Sequence, residues 1–153
     1  MHYSIKPVAF VRNTRSAVED DYWGTVLSTI ELADDLHEEA LAEIGDFSHL
    51  DIIFYFDQVV DEKIQYEARH PRNNDQYPKV GIFAQRGKNR PNKLGLTTVT
   101  LREVKKRSLL VSGLDAVDGT PIIDIKPVMA EFLPKGKVTQ PEWSIKLMEN
   151  YWA

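Results

Sequence analysis

GIFAQRGKNRPNKLGL, residues 81–96, is the stretch around which the rest of the chain is read. Gly81, Ile82, Phe83 and Ala84 read as the end of one β-strand, and Leu96 opens another. Between them lie Arg86, Lys88, Arg90 and Lys93 with no acidic residue among them. A loop that only reversed the chain would have no use for such charge density, because like charges repel. Gly87, Pro91 and Gly95 shape the backbone here. Backbone-shaping residues among cationic side chains suit a fixed pocket for a carboxylate or a phosphate.

Outward from this loop the pattern is mostly β. Residues 5–11 and 26–32 read as strands, the second with apolar positions at Val26, Ile30 and Leu32 around Ser28. Residues 50–56 form a near-continuous apolar run, expected to be buried on both faces. A strand is expected over 80–84, a hairpin over 96–104 and 108–112, and a short last strand over 122–125. One helix is expected after the second strand. Asp34 or Asp35 caps it, Leu36, Ala40, Leu41 and Ile44 share a face, and Gly45 sits at its stop. A second, over 140–152, aligns Trp143, Leu147 and Tyr151, and its terminal aromatics call for docking on the barrel or on a dimer partner. Residues 61–79 make a long polar loop, a kind that is usually functional or mobile. The expected fold is mainly β: a single antiparallel β-barrel domain over 1–153, with one early helix and a C-terminal helix.

Composition narrows the function. A chain of 153 residues suits one domain. The sequence has no apolar run near the ~20 residues a membrane span needs, and residues 1–13 lack the apolar core of a secretion signal. Zero Cys excludes disulfides, thiolate metal sites and Cys nucleophiles, and fits the expected cytoplasmic location. A net charge of −4 argues against indiscriminate nucleic-acid binding. The charge is uneven, however: residues 86–107 hold eight of the 19 Lys and Arg against a single acid, Glu103. Such a segment steers an anionic partner to one face; for Lys105, Lys106 and Arg107 the alternative is a solvated hairpin turn.

Several familiar sites are missing. No G-x-G-x-x-G follows a strand, no Gly-x-Ser-x-Gly elbow exists, and the four His are scattered, so no metal site is expected. DGTP at 118–121 reads as a tight turn. His49 either orders the corner before its strand or faces a pocket. Asp57, where the apolar run ends, either attracts a cationic ligand or takes up a proton at a barrel mouth, or is a solvated strand end. Asp124 and Lys126 share one face of their strand, with Ile123 and Ile125 on the other. They form either a structural ion pair or a charge pair suited to a zwitterion.

Three segments, FSHLDIIFYF, GIFAQRGKNRPNKLGL and LDAVDGTPIIDIKP, resemble the signature segments of the TsaA/TrmO (YaeB-like) family in order and spacing. The resemblance covers residues 5–129, and its central pieces, FA-x-R-x(3)-RPN-x-x-G and DGTP-x-x-DIKP, are long and specific. It implies a compact antiparallel barrel, usually a homodimer, that binds S-adenosylmethionine without a Gly-rich nucleotide fold. The best-known members methylate the exocyclic amine of threonylcarbamoyl-adenosine beside the anticodon of certain tRNAs. By position, Arg86, Leu96, Ile123, Asp124, Ile125 and Lys126 match family cofactor contacts. Phe56 and Asp57 fall where the family carries Phe-His, and Asp57 is the candidate catalytic acceptor. Arg90, Pro91 and Asn92 match the RPN motif; Arg90, Asn92 and Lys93 are the expected substrate contacts.

The chain also departs from the pattern, as a divergent short member. Gln85 stands for Thr, Val128 for Tyr and Asp57 for His, and residues 20–24, DDYWG, replace a Pro-Arg-Gln segment. The expected activity is S-adenosylmethionine-dependent methylation of tRNA adenine N6. The alternatives are methylation of a small molecule or another RNA, and a non-catalytic cofactor-binding module. Arg86 is expected to clamp the methionine carboxylate, Asp57 or Asp124 to favour the ammonium or sulfonium, and main-chain groups near Leu96 to read the adenine. Arg90 and Lys93, with Lys105, Lys106 and Arg107, are expected to hold tRNA phosphates.

Overall fold

Apolar side chains at alternate positions give six strands one inward face each, and a sheet with one apolar face must bury it. In the computed structural model, which describes residues 1–153, those strands close a barrel. They are β1 (Ala9–Arg12), β2 (Leu27–Leu32), β3 (His49–Tyr55), β6 (Leu94–Lys105), β7 (Ser108–Ser112) and β8 (Pro121–Pro127). Their order around the barrel is β1-β2-β7-β6-β3-β8, every pairing antiparallel, with β8 closing onto β1. Two short strands, β4 (Ala68–Arg69) and β5 (Val80–Gly81), pair outside the barrel, and α1 (Glu142–Leu147) is the one α-helix, shorter than the helix expected over 140–152 and ending before Tyr151. No helix is long and apolar enough to cross a membrane.

The barrel is filled by Val11, Ile30, Leu50, Ile52, Phe54, Val99, Leu109, Val111 and Ile122, all essentially inaccessible to water. β3 therefore buries one face only. Leu50, Ile52 and Phe54 point in, while Asp51, Ile53 and Tyr55 lie half-buried on the outside, which corrects the two-faced burial expected of this run.

Other expectations shift as well. The first strand begins at Ala9, with Ile5 exposed. Residues 80–84 give two strand residues and then a 3₁₀ turn, Ile82–Ala84, outside the barrel. The early helix is replaced by two 3₁₀ turns, Glu38–Leu41 and Ile44–Asp46, broken at Glu43 in the left-handed region (φ 64). Arg107 ties the segment that precedes these turns to the barrel, its guanidinium donating to the carbonyls of Leu36 and Ala33. His37 caps the first turn through Glu39 N at 3.2 Å, while Asp35 pairs with Lys6 at 2.5 Å. Ala40 faces solvent, and only Leu36, Leu41 and Ile44 reach the core.

One contact holds β3 in register. Phe54 pairs with Gly95, and a Cβ built on Gly95 meets the Phe54 ring at 2.5 Å. The ring is 2% exposed and packs edge-on against Phe56, so it has nowhere to move. Gly95→Ala should destabilise the fold by about 1–3 kcal/mol, the usual cost of overpacking a filled core. Urea denaturation checks this; a shift of less than a few tenths of a kcal/mol would show that the ring is free to yield.

Candidate functional site

β3 ends where β6 and β8 begin: Tyr55 lies opposite Leu94, and Phe54 opposite both Gly95 and Ile122. The loops over 56–93 and 113–120 therefore share one rim of the barrel. Just below that rim, Ile53 is flanked by Leu96 on β6 and by Asp124 on β8. Paired residues share a face, so Leu96, Ile53 and Asp124 form an outward-facing row. The next row is Thr98, Asp51 and Lys126, with the Thr98 hydroxyl donating to Asp51 at 2.5 Å. Arg86, exposed in the cationic loop, donates from Nη2 to the carbonyl of Leu96. Arg86 therefore bonds the main chain of the residue that heads the Leu96–Ile53–Asp124 row, and Asp124 stands two strands across from it.

Other expected residues divide. Asp124 and Lys126 form an ion pair at 3.0 Å, with both side chains about half exposed, so the charge pair faces solvent. Ile125 and Phe56 pack half-buried against the core. A bulge between Ile53 and Phe54 places both Ile122 and Ile123 opposite Phe54, so Ile123 falls out of strict alternation with Ile125. Asp57 is an exposed residue past the end of β3, its amide donating to Tyr55 O at 2.9 Å.

The loop cations are largely engaged by the chain itself. Arg90 donates to the carbonyls of Gln85 (2.8 Å) and Gly87 (3.3 Å), cross-tying the loop. Lys93, in the left-handed region at φ 50, donates to Val59 O and to Asp61, both at 3.1 Å, and lies 5.1 Å from the Tyr55 ring centre. Hydrogen bonding to Tyr55 and Asp61 raises its pKa, so the ammonium stays charged. Gln85, the family's Thr, donates to Arg69 O and Val80 O and fastens the loop to the β4–β5 hairpin.

Lys105, Lys106 and Arg107 sit at the far end of β6, on the opposite rim. Arg107 is bonded to main-chain carbonyls and Lys105 lies 3.7 Å from Glu103. The basic segment is therefore two groups separated by the length of a strand, which corrects the single anion-steering face expected of it. His49 lies on that far rim too, its Nδ1 2.7 Å from Ser48 Oγ, ordering the corner before β3. DGTP makes the expected turn: Gly119 adopts φ 84, and Asp118 accepts from Asn13 N at 3.0 Å.

The rim also holds a network the sequence reading missed. Asp115 accepts from the hydroxyls of Thr97 and Tyr151. The tail carrying Tyr151 is tied to residues 22–23 by Tyr22 N to Asn150 O (3.0 Å) and Trp23 N to Tyr151 O (2.8 Å). A Cβ on Gly24 would meet Trp152 O at 2.0 Å, so the backbones touch there. Trp23 is buried beneath the Arg15 guanidinium, 3.8 Å from its ring centre, and Arg72 pairs with Asp21 at 2.9 Å. Burial, and then the Asp115 carboxylate, push the Tyr151 phenol upward, while Arg86 and Arg72 pull it down, so both guanidiniums lie within electrostatic range of it. The available signal was positional: Asp115 stands between two buried residues, Leu114 and Ala116. No group of three or more His, Cys, Asp or Glu is placed to hold a metal.

Residues 16–132 match the model of the tRNA-methyltransferase O N-terminal domain family. The chain belongs to that family. Human tRNA (adenine(37)-N6)-methyltransferase is 34% identical over 113 residues, covering 74% of this chain and 25% of the relative. The Pseudomonas aeruginosa protein named putative S-adenosylmethionine-dependent methyltransferase RcsF is 32% identical over 133 residues, 83% of this chain and 57% of the relative. The crystal structure of TrmO from P. aeruginosa superposes with a TM-score of 0.74 at 25% identity, covering 93% of this chain and 62% of that one. The barrel expected from the resemblance is the fold observed. The chain spans a quarter to three-fifths of the length of these relatives.

Tyr151→Phe removes one donor from Asp115 and should lower stability by about 1–2 kcal/mol at neutral pH. The phenol's ordinary pKa is 10.0 and the folded value lies above it. Its contribution is therefore complete below about pH 10 and is lost as pH rises toward the folded value, since only the unfolded chain then gives up the proton. Denaturation at pH 7 and at pH 10–11 should show a shallower alkaline decline for the variant; parallel declines would remove Tyr151 from the account.

Proposed function

We propose that this chain is an S-adenosylmethionine-dependent methyltransferase acting on the N6 amine of adenine in tRNA, and so serves tRNA processing. The observation that carries the reading is Arg86 bonded to the main chain of Leu96, whose side chain shares an outward row with Asp124, in a family whose curated relatives bear that activity in their names. The residues suit the cofactor. Arg86 keeps guanidinium donors beyond the one on Leu96 O, enough to hold a carboxylate. Ile53 and Leu96 offer apolar surface, and Asp124 offers a carboxylate to an ammonium or sulfonium. Bound there, S-adenosylmethionine would supply a methyl group already activated by its sulfonium.

The chain's own task is alignment. Arg86 fixes one end of the donor face, the Leu96 main chain offers polar groups to a base, and the 85–93 loop forms its edge. Lys126 holds Asp124 in place. Phe56 and Ile125 pack against the core and support the face from behind, while Ile123 lies half-buried at the bulge. Asp57, exposed at the rim, accepts the proton the acceptor nitrogen must lose. Arg90 and Lys93 shape the substrate edge, and Asn92 beside them meets the substrate directly.

Calorimetry with S-adenosylmethionine and transfer of labelled methyl into total tRNA test this reading. Arg86→Ala should weaken cofactor binding by roughly tenfold or more. Asp57→Asn should lower turnover by on the order of a hundredfold with cofactor affinity unchanged. Absence of cofactor binding ends the proposal; binding without incorporation into tRNA moves it to a small molecule or another RNA.

A homodimer, as the resemblance implies, and a cytoplasmic location accompany this reading. Phe83 and Phe132, 78% and 85% exposed, are apolar surface that a second copy would cover. Sedimentation at micromolar concentration should give a two-chain mass; a single-chain mass that persists on concentration overturns it.

A further inference from the structure

Beside the donor face, toward loop 61–66, opens a shallow cleft of about 430 Å³ lined by Tyr55, Asp61, Tyr66, Pro91, Asn92 and Lys93. Tyr55 is the next outward position along β3 from Ile53, about 7 Å away at strand spacing. The cleft therefore adjoins the row that carries Leu96 and Asp124.

Its chemistry favours a flat base over an anion. The one cation in the lining, Lys93, has its ammonium committed to Val59 O and Asp61, so the cleft presents no free positive charge. That ammonium also pins Asp61 and one face of the Tyr55 ring. Tyr66 is 70% exposed, an aromatic surface left in water beside a second tyrosine. Asn92 is exposed, presenting an amide donor and a carbonyl acceptor side by side. This is the pair that an adenine edge takes in bidentate fashion. Asp61, with 83% of its side chain exposed, adds a carboxylate oxygen for an exocyclic amine. Open aromatic ledges with one or two edge-reading polar groups are how unpaired RNA bases are held.

We propose that this cleft holds an unstacked adenine of the RNA acceptor, stacked on Tyr66 and Tyr55 and read along its edge by Asn92. The assignment rests on the methyltransferase reading and locates its acceptor. The test uses the full chain and two fluorescein-labelled oligouridylates, one carrying a single central adenosine, followed by anisotropy. The wild-type chain should prefer the adenosine probe. Tyr66→Ala should weaken that probe roughly tenfold or more, Tyr66→Trp should restore it, and Asn92→Ala should erase the preference while leaving the all-uridine probe unchanged. Calorimetric affinity for S-adenosylmethionine should be the same in Tyr66→Ala as in wild type.

No preference in the wild type, or undiminished binding by Tyr66→Ala, overturns the proposal. Loss of S-adenosylmethionine binding in Tyr66→Ala also overturns it, because the cleft then belongs to the donor. Competition by free AMP at the same concentration as the RNA probe overturns it too, because the cleft then takes a free nucleotide and not an RNA base. Failure of the wild type to bind S-adenosylmethionine, with the adenosine preference intact, counts against the methyltransferase reading alone.

Discussion

The ring of Phe54 lies across Gly95, and most of what matters in this chain follows from that contact. A strand displaced by one residue turns every side chain to the other face. With Phe54 locked between Gly95 and Ile122, β3 cannot slip, and Ile53 must look outward between Leu96 and Asp124. The adjoining bulge works with the lock. It places two β8 residues opposite Phe54, so that Ile122 stays fully buried while Asp124, two positions on, still faces out. One aromatic ring over one glycine thus sets both the core and the outer row.

Electrostatics does less than the sequence suggests. Four cations in eight positions look like an anion trap, yet Arg90 and Lys93 are spent on main-chain carbonyls and on Asp61. The left-handed Lys93 backbone shows how tightly the loop is wound, since that region is disfavoured for any residue with a Cβ. Arg86 is different: it is exposed, and it touches only the carbonyl of a residue in the outer row. Its neighbours build the loop that presents it. On the opposite rim Arg107 plays the builder's part for the 33–36 turn.

How far the sequence could be read follows from which interactions are local. The strands were legible because alternation at Ile30 and Leu32, or at Val99, Leu109 and Val111, is written in consecutive residues. The early helix is not legible in the same way, because its apolar spacing is local while the side chain that anchors the segment, Arg107, lies more than sixty positions away. The two-faced burial of 50–56 was misread because Ile53 and Tyr55 are apolar for the sake of an outer surface. That Arg86 and Asp124 belong to one site is implied by the family resemblance and not by periodicity. Asp115, Tyr55 and Tyr66 drew no attention because an acid in a turn and a tyrosine in a strand or loop are ordinary until a fold places partners beside them.

The clearest departure from the family pattern, residues 20–24, has a physical account. Where the resemblance implies Pro-Arg-Gln, this chain has two acids that meet Arg72, a Trp buried under Arg15, and a Gly against which Trp152 O is pressed. Each feature fixes the segment against another part of the same chain, and two backbone bonds join it to residues 150 and 151. Tyr151 then reaches Asp115, with Arg86 in electrostatic range. The tail and residues 20–24 are therefore constrained together. A side chain at Gly24 would displace the tail's backbone, and Tyr151 would leave Asp115 with it. Residues 20–24 are thus held in this chain by ion pairing and by a second piece of backbone.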